Sequence, residues 1–191
     1  VVLYLIILMV FCGLGPVKFL QAIREVQLLA FSTSSSAAVM PLSIRTAEEK
    51  LQVRPSISQF VVPLGATINM NGTALYQGVA TLFLAQIYGI DIATSGLVFL
   101  VVTAVGASIG SPATPGVGIV ILAMVLGSVG VPVSGIALIM GVDRILDMAR
   151  TAVNVTGDLV ACVIMDKWVG GKKSAKEQLK GEAKREQLRA E

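Results

Sequence analysis

Long apolar runs, cut by short polar clusters, organise this chain. Val26–Ile44, Pro55–Ile90 and Ile92–Val142 contain no charged residue. A helix crossing a bilayer needs about 20 mostly apolar residues, so these runs are long enough for several spans or re-entrant segments. Val1 to about Leu14 reads as a transmembrane helix continuing past Pro16, followed by an amphipathic stretch from Phe19 to Glu25 that carries Lys18 and Arg24 nearby; 1–25 is the first unit. Val26–Phe31 and Ala37–Ile44 are apolar arms too short to span alone, and Ser32-Thr-Ser-Ser-Ser36 lies between them. That pattern predicts a re-entrant helical hairpin, closed by a polar connector from Arg45 to Arg54, over 26–54. Irregular backbone at membrane depth is tolerated only inside protein or against a cavity.

Pro55 opens a helix that reaches Asn69-Met-Asn-Gly-Thr73 and resumes as Ala74–Ile90, so 55–90 reads as one broken span. Freed carbonyls at such a break can coordinate a cation near the midplane. Within 91–130, Ile92–Ala107 and Val117–Leu126 flank Ser108-Ile-Gly-Ser-Pro-Ala-Thr-Pro-Gly116. Two prolines and two glycines cannot continue a helix, which predicts a second hairpin tip. Val131-Pro132 starts a final helix over 131–169, with Trp168 as an interfacial anchor. Asn69–Thr73 and Asn154–Asp158 share the pattern Asn-x-polar-Gly-polar, and each follows a hairpin. Repeated units of this kind suggest an inverted repeat. The fold class expected is an all-α membrane protein with two re-entrant hairpins and broken helices.

Composition agrees. The 191 residues are 54% hydrophobic and 14% charged, against about 25% charged in soluble domains; the mean hydropathy is +0.80. Residues 170–191 form a charged tail with seven Lys/Arg and four Glu. Basic residues beside a last span mark the cytoplasmic side, and a solvated tail is favoured over a lipid-binding one. Nothing points to nucleic acid. Cys12 and Cys162 lack metal-ligand spacing, and there is no histidine. No nucleophile–base pair, metal cluster or phosphate loop suggests an enzyme. The chain starts without Met in an apolar run, which reads as a fragment beginning inside or beside a span. The sequons at Asn71 and Asn154 lie in apolar surroundings unsuited to glycosylation.

The densest chemistry lies in the last helix. At about 100° per residue, Asp143, Asp147, Arg150, Thr151, Asn154 and Asp158 fall on one arc, and the remaining positions include Ile145, Leu146, Met148, Val153 and Val155. Each ionisable group in a span costs about 2.5–3.5 kcal/mol on insertion scales, so such groups face a cavity or one another. One reading is an Asp147–Arg150 pair that only neutralises charge. The other is a binding face, in which the guanidinium takes a carboxylate and Asp147 an ammonium.

These residues carry a resemblance. Thr33-Ser-Ser-Ser36, Pro63-Leu-Gly-Ala-Thr-Ile-Asn-Met-Asn-Gly-Thr-Ala-Leu-Tyr-Gln77, Ala107-Ser-Ile-Gly-Ser111 and the run from Asp143 to Asp158 closely resemble the glutamate/aspartate transporter family, the dicarboxylate/amino acid:cation symporters. The resemblance spans nearly the whole chain before the tail. It implies the C-terminal transport core of a multi-pass cell-membrane protein, a homotrimer when full-length, that carries substrate by an elevator motion. It assigns Arg150 and Thr73 to the substrate side-chain carboxylate, Asp147 and Thr151 to the amino group, and Asn154, Ser35 and Ser36 to the α-carboxylate. Backbone at Thr114 and Gly118 would close as a gate. One sodium would sit among Gly65, Asn69, Asn154 and Asp158, and a second among Thr67, Ser108, Ile109 and Ser111. No covalent cofactor is implied; sodium is the expected coupling ion, with protons as the alternative.

Arg150 and Asp147 favour L-aspartate or L-glutamate over succinate or alanine. Asn71 stands where the family commonly has aspartate, and Ser34 and Met148 stand where many members place an extra arginine. Arg144 lies nearby, at the edge of the polar face. The rival readings are a proton-coupled C4-dicarboxylate symporter and a truncated membrane fragment that does not transport.

Overall fold

A computed structural model describes residues 1–170, all of whose regular elements are helical. Of the charged tail expected over 170–191, Gly170 ends the last helix and the rest lies outside the described residues.

Helix α1, Val2–Ile7, runs into a π-helical turn, Leu8–Cys12, and stops at Gly13, whose φ of 67° is left-handed. The expected continuation past Pro16 does not form. Pro16 instead occupies the first turn of α2, Pro16–Thr33. Proline is pre-organised there and lacks only an N–H that would have no helical partner. The stretch read as a connector, Phe19–Glu25, is therefore the first half of a single 18-residue helix. Its buried residues Phe19, Ile23, Val26 and Ala30 recur at helical spacing, with no breaker between them.

Ser34 and Ser35 alone separate α2 from α3, Ser36–Glu49. The two helices pack on each other. α3 continues through the first half of the expected polar connector, because Arg45 and Glu49 pair at i,i+4 (3.0 Å) while Thr46 and Ala47 are buried. Arg54 then anchors the connector: its Nε donates to Asp166 Oδ1 at 2.6 Å near the far end of the last helix.

α4, Pro55–Ile68, and α5, Asn71–Ile87, are separated by Asn69 and Met70. α6, Thr94–Ser108, and α7, Val117–Ser128, form a second packed pair around the turn 109–116. A short 3₁₀ turn, Val133–Gly135, leads into α8, Ile136–Gly170. At 1.5 Å per residue its 35 residues extend about 52 Å. With that lead-in it is the one helix, among the described residues, long and apolar enough to cross a membrane by length and composition.

α8 is the central post. α2, α4 and α5 pack along it, and α3 and α7 touch it. One core joins Phe19, Ile23, Val39, Val62, Val155 and Leu159; a second joins Leu84, Leu122, Leu126 and Ile139. Outward, Phe60, Leu75, Val98, Val102, Val120 and Leu138 are exposed. An apolar exterior of this extent is what a hydrocarbon environment requires.

The two Asn-x-polar-Gly-polar motifs behave differently. Asn69–Thr73 breaks the helix, whereas Asn154–Asp158 lies in the unbroken interior of α8. The physical reason joins them. No side chain of α5 caps its own first turn. Asn154 Oδ1 does so from across the interface, accepting from Gly72 N at 2.7 Å and Thr73 N at 3.3 Å. The break persists because the continuous helix satisfies the donors it exposes.

Candidate functional site

The two tips meet above the middle of α8. Ser34 adopts a left-handed conformation (φ 53°), and Ser35 caps α3 by accepting from Ala38 N. The Ser35 hydroxyl also donates to the carbonyl of Ala113 in the second tip at 2.8 Å. That second tip is tethered three times more: Ala37 N donates to the same Ala113 carbonyl at 3.5 Å, Gly110 N to Thr67 O at 2.8 Å, and Gly116 N to Asp147 Oδ2 at 2.9 Å.

Below the tips, Asp147 and Arg150 form a buried ion pair through Oδ1 and Nη2. Both lie on α8, one turn apart, with Thr151 Oγ1 bonded back to Asp147 O (2.9 Å). The Arg150 guanidinium also lies 5.9 Å from the centre of the Tyr76 ring. Tyr76 in turn donates to Asp143 at 2.8 Å. Gly118 faces the same guanidinium: a β-carbon there would come within 2.8 Å of Arg150 Nη1. Gly72 is required for a similar reason, since a β-carbon would overlap the Arg150 carbonyl and crowd Asn154 Oδ1 at 3.0 Å.

Ser34, Ser36, Thr73, Thr114, Arg150, Thr151 and Asn154 line one small cavity, with Met70 and tip residues Pro112 and Ala113. Six of the nine expected substrate residues are thus brought together. Asp147 and Gly118 lie directly against Arg150, and Ser35 bridges the tips instead of facing the cavity. The cavity has room for only about 10 Å³, far below the roughly 300 Å³ where small-molecule pockets begin. Two buried polar atoms of its lining, Ser34 Oγ and Arg150 Nε, have no hydrogen-bond partner. Such atoms cost about 1–3 kcal/mol each when left unsatisfied, and they mark where a polar ligand would be accepted.

Of the first expected cation set, Asn69 Nδ2 donates to Asp158 Oδ1 at 2.9 Å, and Gly65 is so close to that carboxylate that a β-carbon would overlap it. Asn154 is instead committed to the first turn of α5, through Gly72, Thr73 Oγ1 (3.2 Å) and Met70 Sδ (3.1 Å). In the second set, the carbonyls of Thr67 and Ser108 accept from Gly110 N and Ser111 N at 2.8 and 3.3 Å, which brings all four residues to one turn. Carbonyl and carboxylate oxygens of this kind suit a hard cation.

Sequence reading missed four participants. Tyr4 receives a hydrogen bond from Asn71 Nδ2 at 2.7 Å. Gln77 donates to Gly118 O at 3.0 Å and pins the start of α7. Ala113 and Gly116 act through backbone atoms, which no side-chain pattern can announce. Arg144 reaches the first tip only through a long contact to Ser32 O (3.5 Å), outside the cavity lining.

With this geometry established, comparison with known proteins defines the class. The model of the sodium:dicarboxylate symporter family matches residues 1–168, and the chain belongs to that family. It is 47% identical over 176 residues to the proton/sodium-glutamate symport protein of Bacillus subtilis (strain 168), covering 92% of this chain and 41% of that protein. It is 45% identical over 157 residues to the proton/glutamate-aspartate symporter of Escherichia coli (strain K12), covering 82% of this chain and 36% of that one. Excitatory amino acid transporter 3 of Mus musculus is 44% identical over 153 residues, 80% of this chain and 29% of that protein. The chain therefore spans about two-fifths or less of these relatives' lengths. The family consists of symporters, not enzymes, and membership makes this an integral membrane protein.

Proposed function

We propose that this chain carries the substrate-holding core of a sodium-coupled symporter for L-aspartate or L-glutamate. The observation that carries the proposal is the buried Asp147–Arg150 pair beneath two unpartnered polar atoms, Arg150 Nε and Ser34 Oγ, in one cavity. The substrate side-chain carboxylate would occupy Arg150, helped by Thr73. Its ammonium would take Asp147 Oδ2 from Gly116 N, and its α-carboxylate would lie near Ser36 and Asn154. Sodium would use the oxygens around Asp158 and around Thr67 and Ser108.

The cavity is too small for an amino acid while the second tip is down. Entry therefore needs that tip to lift, which breaks the Ser35–Ala113, Ala37–Ala113, Gly110–Thr67 and Gly116–Asp147 bonds. Substrate and cation would then let it close again, and the closed core would cross the membrane as a unit. Both tips would be re-entrant, and the assembled protein a homotrimer with the tail on the cytoplasmic side. The names of the relatives support glutamate and aspartate as substrates and sodium or protons as coupling ions.

The test is calorimetric titration of L-aspartate into the purified protein in lipid nanodiscs, in sodium and again in potassium. Binding in sodium alone is the expected result. Equal binding in both salts, or binding of succinate in place of aspartate, would assign the site to a proton-coupled dicarboxylate carrier.

A further inference from the structure

Tyr4 lies on α1, far in sequence from every expected site residue, yet it ends a chain of hydrogen bonds that starts at Asp158. Asn71 Nδ2 donates both to Tyr4 Oη (2.7 Å) and to Asn69 Oδ1 (2.6 Å). Asn69 Nδ2 then donates to Asp158 Oδ1 (2.9 Å). Asn71 Nδ2 is the common donor: its bonds run out to the phenol on one side and, through Asn69, to the carboxylate on the other. Gly157 leaves room for it: a β-carbon there would come within 2.9 Å of Tyr4 Oη and 3.0 Å of Asn69 Nδ2.

In this arrangement an N–H of Asn69 occupies the approach to Asp158 that a cation would need. A cation requires oxygen there. Rotating the Asn69 amide by half a turn supplies it, placing Asn69 Oδ1 opposite Asp158 Oδ1. The rotation also turns Asn69 Nδ2 toward Asn71 Nδ2, and two donors then face each other. Asn71 must rotate as well, so that its oxygen accepts from Asn69. Tyr4 completes the reversal, because a phenol both donates and accepts: it accepts from Asn71 in the first state and donates to it in the second. Either polarity is internally consistent, and no mixture of the two is.

We propose that Tyr4, Asn71 and Asn69 form a reversible hydrogen-bond chain whose direction is set by whether a cation sits against Asp158, with Tyr4 as a positioning residue. The proposal rests on the sodium-coupled reading above. It also gives Asn71 a role that a carboxylate cannot fill. An amide works in both directions, whereas aspartate at this position accepts only and fixes the chain in its cation-bound direction.

The direction of a tyrosine hydrogen bond is visible in its C–O vibration, so the test is the infrared difference spectrum of the protein in nanodiscs with and without sodium. The expected result is a sodium-induced tyrosine band that Tyr4→Phe removes, leaving Tyr76 and Tyr88 unaffected. Asn71→Asp keeps Tyr4 yet should also remove the band, because the phenol then donates in both salts. Loss of one opposing donor should tighten sodium binding in that variant about 3- to 10-fold, the equivalent of one hydrogen bond. The Asn71→Asp protein serves as the deciding sample if Tyr4→Phe does not fold. Sodium binding with no tyrosine band, or a band that persists in both variants, overturns the chain while leaving the transport reading intact. Absence of sodium binding by the unmodified protein overturns both.

Discussion

The two helix tips face the same cavity but are built differently. The first closes in two residues, Ser34 and Ser35, and holds itself: Ser34 supplies the left-handed turn and Ser35 caps the helix that follows. The second takes eight residues, 109–116, and its left-handed positions are Gly110 and Gly116. No side chain of its own caps α7. It is held from outside, by Ser35, Ala37, Asp147 and Thr67. A tip secured by its own cap suits a fixed wall, and a tip secured by four borrowed bonds suits a door. Local openings draw on the segments with the fewest internal contacts, which supports the proposal that the second tip is the one that lifts.

Asp147→Ala should break this contrast most severely. It removes one tether of the second tip and leaves Arg150 buried without its ion-pair partner, a loss of about 3–5 kcal/mol. Thermal unfolding would register the loss, and calorimetry should show aspartate binding abolished with succinate binding retained. Preserved aspartate binding would remove Asp147 from the ammonium site. A smaller effect is expected from Ser35→Ala, about 1 kcal/mol for the lost cap. Its sharper signature is faster hydrogen exchange at the second tip than at the first, because the Ser35 bond to Ala113 is lost with it and only the longer one from Ala37 N remains. Exchange that rises only around Ala38 would mean that the bridge between the tips does not restrain the door. The smallest effect is a gain: Ser34→Gly relieves a left-handed non-glycine residue and should stabilise the first tip by up to about 1 kcal/mol, read as a higher melting temperature.

Much of this site was legible because the polar residues of α8 are periodic. Asp147, Arg150, Thr151, Asn154 and Asp158 share one face at helical spacing, and all are buried. The tips were legible because serine, glycine and proline runs interrupt apolar helices. Element limits were read less well. Phe19–Glu25 looked amphipathic by itself, and only packing against α8 and α3 shows it to be half of α2. The matching asparagine motifs suggested two broken helices. In the fold one breaks, and the other stays helical and caps the break.

What the sequence determined alone is the inventory: a hydrocarbon-facing helical chain, polar interruptions at Ser32–Ser36, Asn69–Thr73 and Ser108–Gly116, and one ionisable face that a membrane protein does not keep without a partner for it. Charge burial and helical periodicity are local or one-dimensional, so they can be read from order and spacing. The tertiary structure decided which groups are already spent on each other. Asn154 caps α5, Asp147 holds Arg150 and the second tip, and Tyr4 meets Asn71 across 67 positions of chain. Those pairings depend on which helices lie against α8 and at what height. Packing of side chains from distant segments sets that height, and no single stretch of the chain contains it.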